Sequence, residues 1–116
     1  MQQLGRTVVL IGQIPEIGYD VPSTNYSARL TGRDVTEMIA PDTEAFEDRA
    51  GDVRRFLEAQ SRARSLRYVD PASRLCNAAR CAVVVDGVPL YRYDNHLSLR
   101  GNVYLRTLID PIFAGR

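Results

Sequence analysis

Residues 7–15, "TVVLIGQIP", begin with an unbroken run of β-branched and aliphatic side chains and close on Gly12 and Pro15. Such a run predicts a strand buried on both faces, as in a parallel sheet covered by helices. Residues 16–34, "EIGYDVPSTNYSARLTGRD", are rich in Gly, Pro, Ser and Asn and predict a long irregular segment. A helix follows over 43–64, with Thr43 as its N-cap. Phe46, Ala50, Val53 and Leu57 form its apolar stripe, which Phe56 widens. Glu47 and Asp48 suit the positive helix start, and Gly51 costs it about 1 kcal/mol relative to Ala. "LRYVD", residues 66–70, predicts a short strand ended by Pro71. Residues 81–93 predict two strands around Asp86-Gly87, a two-residue hairpin signal. Ser98 caps a helix running from Leu99 towards Ile109, with Val103, Leu105, Leu108 and Ile112 on its apolar face and Pro111 limiting it. The order strand, helix, strand, hairpin, helix is that of an α/β layered fold.

Composition narrows the function. The 116 residues suggest one domain. With 15 basic and 14 acidic residues the net charge is +1, and no long run of one sign occurs, so there is no electrostatic case for nucleic acid. The basic cluster from Arg62 to Arg67 sits at the end of the predicted helix, where it complements the negative end of the dipole. No window approaches the ~18–20 apolar residues of a membrane span. The first ten residues contain Gln2, Gln3 and Arg6 and hold no signal-peptide core. The chain thus reads as soluble, without an address of its own.

Two clusters carry candidate chemistry. Cys76 and Cys81 stand in "LCNAARC". This spacing fits no common zinc pattern, and one His cannot complete a tetrahedral site, so neither metal nor cofactor is expected. A local disulfide and two free thiols both fit the spacing. The single histidine, His96, stands in "LYRYDNHLSLRG", residues 90–101, with Asp94 two positions before it and the last helix starting two positions after it.

Taken together, "TVVLIGQIPEIGYDVP", "YVDP" and "LCNAARCAVVVDGVPLYRYDNHLSLRG" resemble the last half of an SGNH hydrolase domain. The type is the one fused behind multi-pass membrane O-acyltransferases of the O-antigen acetylase kind. Its features are a strand ending in an "IGPVPE"-like sequence, a Cys pair, "DG-x-PLY", an Asp/His block, and "HLS" before a small residue. The resemblance implies the C-terminal half of an SGNH/flavodoxin-like three-layer fold with a mainly parallel sheet, spanning 1–116. It implies ester chemistry in which a Ser is activated by His and an Asp orients the His. On this basis His96 is the general base, at a strand-to-helix junction where such sheets keep their ligand crevice. Imidazole suits the role because its unperturbed pKa near ~6.5 lets it take and return a proton at neutral pH. The resemblance also favours a Cys76–Cys81 disulfide in an extracytoplasmic compartment.

The sequence departs from the family pattern in two places. The family carboxylate lies three positions before the His. Here Tyr93 stands at that position, and the acidic residue is Asp94. Asp94 reaches His96 only from an extended segment; in a helical turn residues two apart do not face each other, and His96 then needs another partner. In addition, no Gly-Asp-Ser and no G-x-S-x-G occurs in the 116 residues, and the blocks that supply the oxyanion donors have no counterpart. Ser98 follows His96 too closely to be the nucleophile and is better placed as a helix cap.

The leading expectation is therefore part of an acyl-ester hydrolase or O-acyltransferase acting on acetyl groups of cell-surface polysaccharide. It is located in the periplasm, and its partner is a membrane acyltransferase domain or an N-terminal half that carries the serine. The alternative is an inactive remnant that binds glycan or protein.

Overall fold

The computed structural model describes residues 8–113. It is α/β, with β1 (Val9–Ile11) and β2 (Arg67–Val69) forming a two-stranded parallel sheet. Val9 pairs with Arg67, Leu10 with Tyr68 and Ile11 with Val69. Between these strands lie α1 (Val21–Thr31), α2 (Val35–Ile39) and α3 (Thr43–Ala63). After β2 come α4 (Ala72–Leu75), a separate hairpin of β3 (Val84–Val85) and β4 (Val88–Pro89), and then α5 (Leu99–Tyr104) and α6 (Arg106–Phe113). The predicted start of the first strand at Thr7 lies outside the described residues. No helix among the described residues is long and apolar enough to cross a membrane.

The segment 16–34 is irregular only at its ends; its centre, Val21–Thr31, is helical. Its polar residues are helix punctuation: Asp20 Oδ1 accepts from Ser23 N at 2.9 Å, Pro22 sits in the first turn, and Gly32 closes α1 in the left-handed region at φ 69°. The helix buries Val21, Asn25 and Ala28, and Asn25 Nδ2 donates to Gly87 O across to the hairpin. Composition pointed to a loop because it ignored where each of those residues stood. The short α2 is capped in the same way, by Asp34 on Thr36 N.

Several other expectations are corrected. The N-cap of α3 is Asp42. Thr43 is already helical, and its hydroxyl donates to Asn77 O at 2.7 Å. Phe46, Ala50, Gly51 and Ser61 form the buried face of α3, whereas Val53 and Phe56 are exposed. Arg54 lies along the packed side, paired with Glu47 and Asp70. The first strand is not buried on both faces: Val9 and Leu10 are half-buried and Ile11 is exposed, because among the described residues only β2 pairs with it. The last helix breaks at Leu105 into α5 and α6. Gly101 and Leu105 are buried whereas Val103 is exposed, and α6 continues through Pro111.

The hairpin follows its sequence signal. Asp86 (φ 52°) and Gly87 (φ 77°) both have positive φ, as a primed two-residue turn requires. The main core joins Ile17, Val21, Val35 and Ile39 to Leu75, Val83, Leu90 and Tyr91. A second small cluster, Phe46, Ala50, Ala72 and Cys81, sits under α3.

Cys76 and Cys81 are disulfide-bonded. Closing so short a loop removes roughly 2 kcal/mol of denatured-state entropy in the chain-entropy treatment. Mild reduction is therefore expected to lower unfolding free energy by about that amount, read as a shift of the urea midpoint. An unchanged midpoint after verified reduction would contradict the structural role.

Candidate functional site

His96 sits in a short, tightly held turn. Arg92 N donates to His96 O at 2.7 Å, and Tyr91 and Leu97 face each other across the turn. Directly behind it, Ser98 N donates to Leu90 O at 2.8 Å, and the Ser98 hydroxyl donates to Pro89 O at 2.8 Å. The same hydroxyl oxygen accepts from Gly101 N at 3.0 Å and so caps α5. Ser98 is thus spent on structure, in keeping with its sequence position.

The turn is anchored from below by Tyr91. Its ring is wholly buried, and its hydroxyl donates to Pro15 O at 2.8 Å. Two backbone bonds reinforce the contact: Ile17 N to Asp94 O at 2.8 Å and Val21 N to Tyr93 O at 3.1 Å. These bonds explain why "IGQIPEIGYDVP" and "PLYRYDNH" matter together. The segment leaving β1 is the floor on which the His96 turn rests. Gly12 donates its N–H to Val69 O at 2.8 Å, and an added Cβ would meet Tyr68 Oη at 2.8 Å. Pro15 is buried beneath the turn, while Glu16 is exposed beside it.

Burial pushes the Tyr91 phenol well above its ordinary pKa near 10. Tyr68 is also raised, chiefly by burial and then by the Asp70 carboxylate. A raised folded-state value favours the neutral phenol. The associated stability is complete below about pH 10, the unfolded value, and is lost as pH rises beyond it. Unfolding free energy is therefore expected to fall steeply above pH 10. Tyr91→Phe should flatten that fall while costing about 1–2 kcal/mol at neutral pH, because Pro15 O loses its donor. Chemical denaturation of both proteins from pH 7 to 11 checks this. Parallel curves would contradict it.

At the turn itself, His96 is exposed and its Nδ1 lies 2.7 Å from Asn95 Oδ1. An amide oxygen only accepts, so Nδ1 is the donor in this bond and Nε2 is the ring nitrogen not engaged by Asn95. Tyr93 meets the imidazole edge-on, with centroids 6.3 Å apart and planes at 87°. Arg92 lies over the Tyr93 ring at 5.5 Å. The structure brings Asp94 into the same turn and holds its backbone, but it is Asn95 that accepts the His96 hydrogen bond. The segment is a turn, the geometry in which His96 needs a partner other than Asp94. Sequence reasoning left a backbone carbonyl or another partner open as the alternative to Asp94 and did not name Asn95. The visible signal was an amide side chain directly preceding the His.

The site thus consists of an exposed imidazole in a turn ahead of a capped helix, within an α/β fold. The chain belongs to the SGNH domain family of the kind fused to AT3 domains, whose family model matches residues 1–111. No curated protein and no solved structure matches the chain significantly. The family assignment associates the domain with acyl-related hydrolase or acetyltransferase chemistry and with membrane acyltransferases.

Proposed function

We propose that this chain supplies the base-bearing part of an acyl-ester site that removes or transfers acetyl groups on cell-surface polysaccharide. The carrying observation is His96 with Nδ1 engaged by Asn95 and Nε2 left open, within a member of the SGNH family. In this reading the chain is the C-terminal half of a flavodoxin-like three-layer domain, on the extracytoplasmic side of the inner membrane. The serine and the oxyanion donors come from an N-terminal half, since the 116 residues contain no Gly-Asp-Ser.

The chemistry follows from the tautomer. Nε2 takes the serine proton as Oγ attacks the acyl carbonyl, and the imidazolium then gives that proton to the departing sugar oxygen. Water or an acceptor hydroxyl, deprotonated by the same nitrogen, releases the acyl group. Asn95 holds the ring, and Asp94 lies in the same turn.

The test joins this chain to a Gly-Asp-Ser-bearing N-terminal half of a domain from the same family and measures acetate release. The substrates are p-nitrophenyl acetate and an O-acetylated polysaccharide. The joined protein is expected to turn over both, and neither half alone to exceed background. A folded joined protein that binds the polysaccharide without releasing acetate would favour the glycan-binding remnant instead.

A further inference from the structure

Away from the His96 turn, α2, α4, the disulfide loop and α5 enclose a cleft of about 320 Å³. This is at the small end of ligand-binding pockets, which run from roughly 300 to 1,000 Å³. Two arginines line it, Arg74 and Arg80, and no carboxylate does. Neither arginine belongs to an ion pair among the described residues, unlike Arg54, Arg55, Arg62, Arg100 and Arg106.

Both guanidinium groups are held in place. Arg74 stacks on the Tyr104 ring at 4.2 Å and donates from Nε to Tyr104 O at 3.2 Å. Arg80 donates from Nη1 to Thr36 O at 3.1 Å. The loop that carries Arg80 is rigid for several independent reasons. The disulfide closes it, Asn77 N donates to Arg80 O at 3.0 Å, and Asn77 Oδ1 accepts from both Ala79 N and Arg80 N. Its outer side is fastened by Thr43 N to Ala79 O and by Cys81 N to Pro41 O. Each guanidinium has five N–H donors, and one bond apiece is described here. Two like charges fixed around one small cleft repel each other, and an anion between them removes that repulsion.

We propose that this cleft is a binding subsite for an oxyanion, a carboxylate or a phosphate, carried on a sugar-sized ligand. Arg74 and Arg80 clamp the anion, and the Asn77 Nδ2 and the Thr36 and Tyr104 hydroxyls are neutral polar groups that line the cleft for the rest of the ligand. A bare ion would leave most of the cleft empty. The disulfide then has a functional role besides its stabilising one, because it fixes the loop that presents Arg80.

The test is an NMR titration of the isotope-labelled chain with digalacturonate, with glucose 1-phosphate, and with a neutral hexose disaccharide. Saturable shifts are expected at Arg74, Asn77 and Arg80, with none at His96, for at least one anion and not for the neutral sugar. Which anion binds more tightly identifies the source of the charge. Arg80→Ala and Arg74→Ala should each weaken binding at least tenfold, and Arg80→Lys should weaken it less. Arg55→Ala, on the exposed face of α3, should leave it unchanged. If an alanine variant loses its dispersed spectrum, Arg74→Gln and Arg80→Lys carry the comparison. Reduction of the disulfide should weaken binding by several fold. Failure of both anions to saturate, equal affinity for the neutral sugar, or undiminished binding in the arginine variants would overturn the proposal. The assignment of His96 is tested separately and does not depend on this result.

Discussion

Gly101→Ala is expected to destabilise the protein by about 3 kcal/mol or more. Two effects oppose each other. Alanine is the better helix former, and in an unobstructed helix it would contribute about 1 kcal/mol. At this site, however, a Cβ would fall inside the van der Waals envelope of the Leu90 carbonyl oxygen and press on Leu97 Cδ2 at 3.0 Å. Leu90 O cannot rotate away, because it is a backbone atom that already accepts from Ser98 N at 2.8 Å. Relief therefore requires α5 to move off the strand end, breaking the Ser98 cap and the turn that holds His96. Total stability for a domain of this size is about 5–15 kcal/mol, so the clash outweighs the gain in propensity several times over. Thermal unfolding followed by circular dichroism checks this. A Tm fall of roughly 10 °C or more is expected, by the scaling for small domains. A variant melting at or above the parent would show that α5 is not fixed against Leu90. The contact also explains the small residue after "HLS": only a residue without Cβ lets the helix approach this closely.

His96→Ala is expected to lower kcat of the joined, serine-bearing protein by about 10⁴-fold or more, with little change in stability. The size follows from the loss of a triad member, which removes both the proton acceptor and the group that protonates the leaving oxygen. Stability should hold because the ring is exposed and its one described hydrogen bond is to its neighbour. Asn95→Ala leaves the imidazole in place and frees its tautomer, so a smaller loss is expected, in the range of ten- to a hundredfold. Asp94→Asn separates the contribution of charge from that of orientation: a loss in kcat with KM unchanged would mark Asp94 as stabilising the imidazolium. The ratio of the Asn95 and Asp94 effects thus reports which neighbour supports the base. A His96→Ala protein that retains turnover would remove His96 from the chemistry.

The structure also shows what was legible in the sequence. Asp86-Gly87 and Ser98 were readable because each acts through its immediate neighbours, by positive φ in one case and a side-chain cap in the other. The long helix was visible from its periodicity, but its buried face was misread. Val53 and Phe56 are apolar, yet the packing surface runs through Phe46, Ala50 and Ser61, with the Arg54 guanidinium over the Phe46 ring. Hydrophobicity alone cannot tell an apolar side chain that is covered from one that is not when few strands are present to cover it. α1 was missed for the opposite reason. Asp20, Pro22 and Gly32 look like loop residues by type and are helix boundaries by position.

The site was legible in part. "DGVPLY" and "DNHLSLRG" drew attention to the His96 turn, and the structure shows what holds that turn in place: Tyr91 reaching Pro15 across the chain, and Gly101 seating the helix. The sequence could not reveal that link, because Pro15 O and the Tyr91 hydroxyl are separated by most of the chain. Nor could it rank Asn95 above Asp94 as the partner of His96, since that choice depends on the sense of the turn at a single residue. The paired arginines of the second cleft were hidden in the same way. Arg74 and Arg80 are brought together by a disulfide loop whose pairing the spacing alone left open.

The measurement that bears most directly on the account is the rate at which a fluorophosphonate labels the serine of the joined protein, read by intact mass. Such a reagent reports whether the serine oxygen is activated, independent of any sugar or acyl preference. With His96 present, rapid stoichiometric labelling is expected, falling by several orders of magnitude in the His96→Ala protein. Equal labelling with and without the imidazole would mean that the serine draws its reactivity from elsewhere and that His96 is not its base.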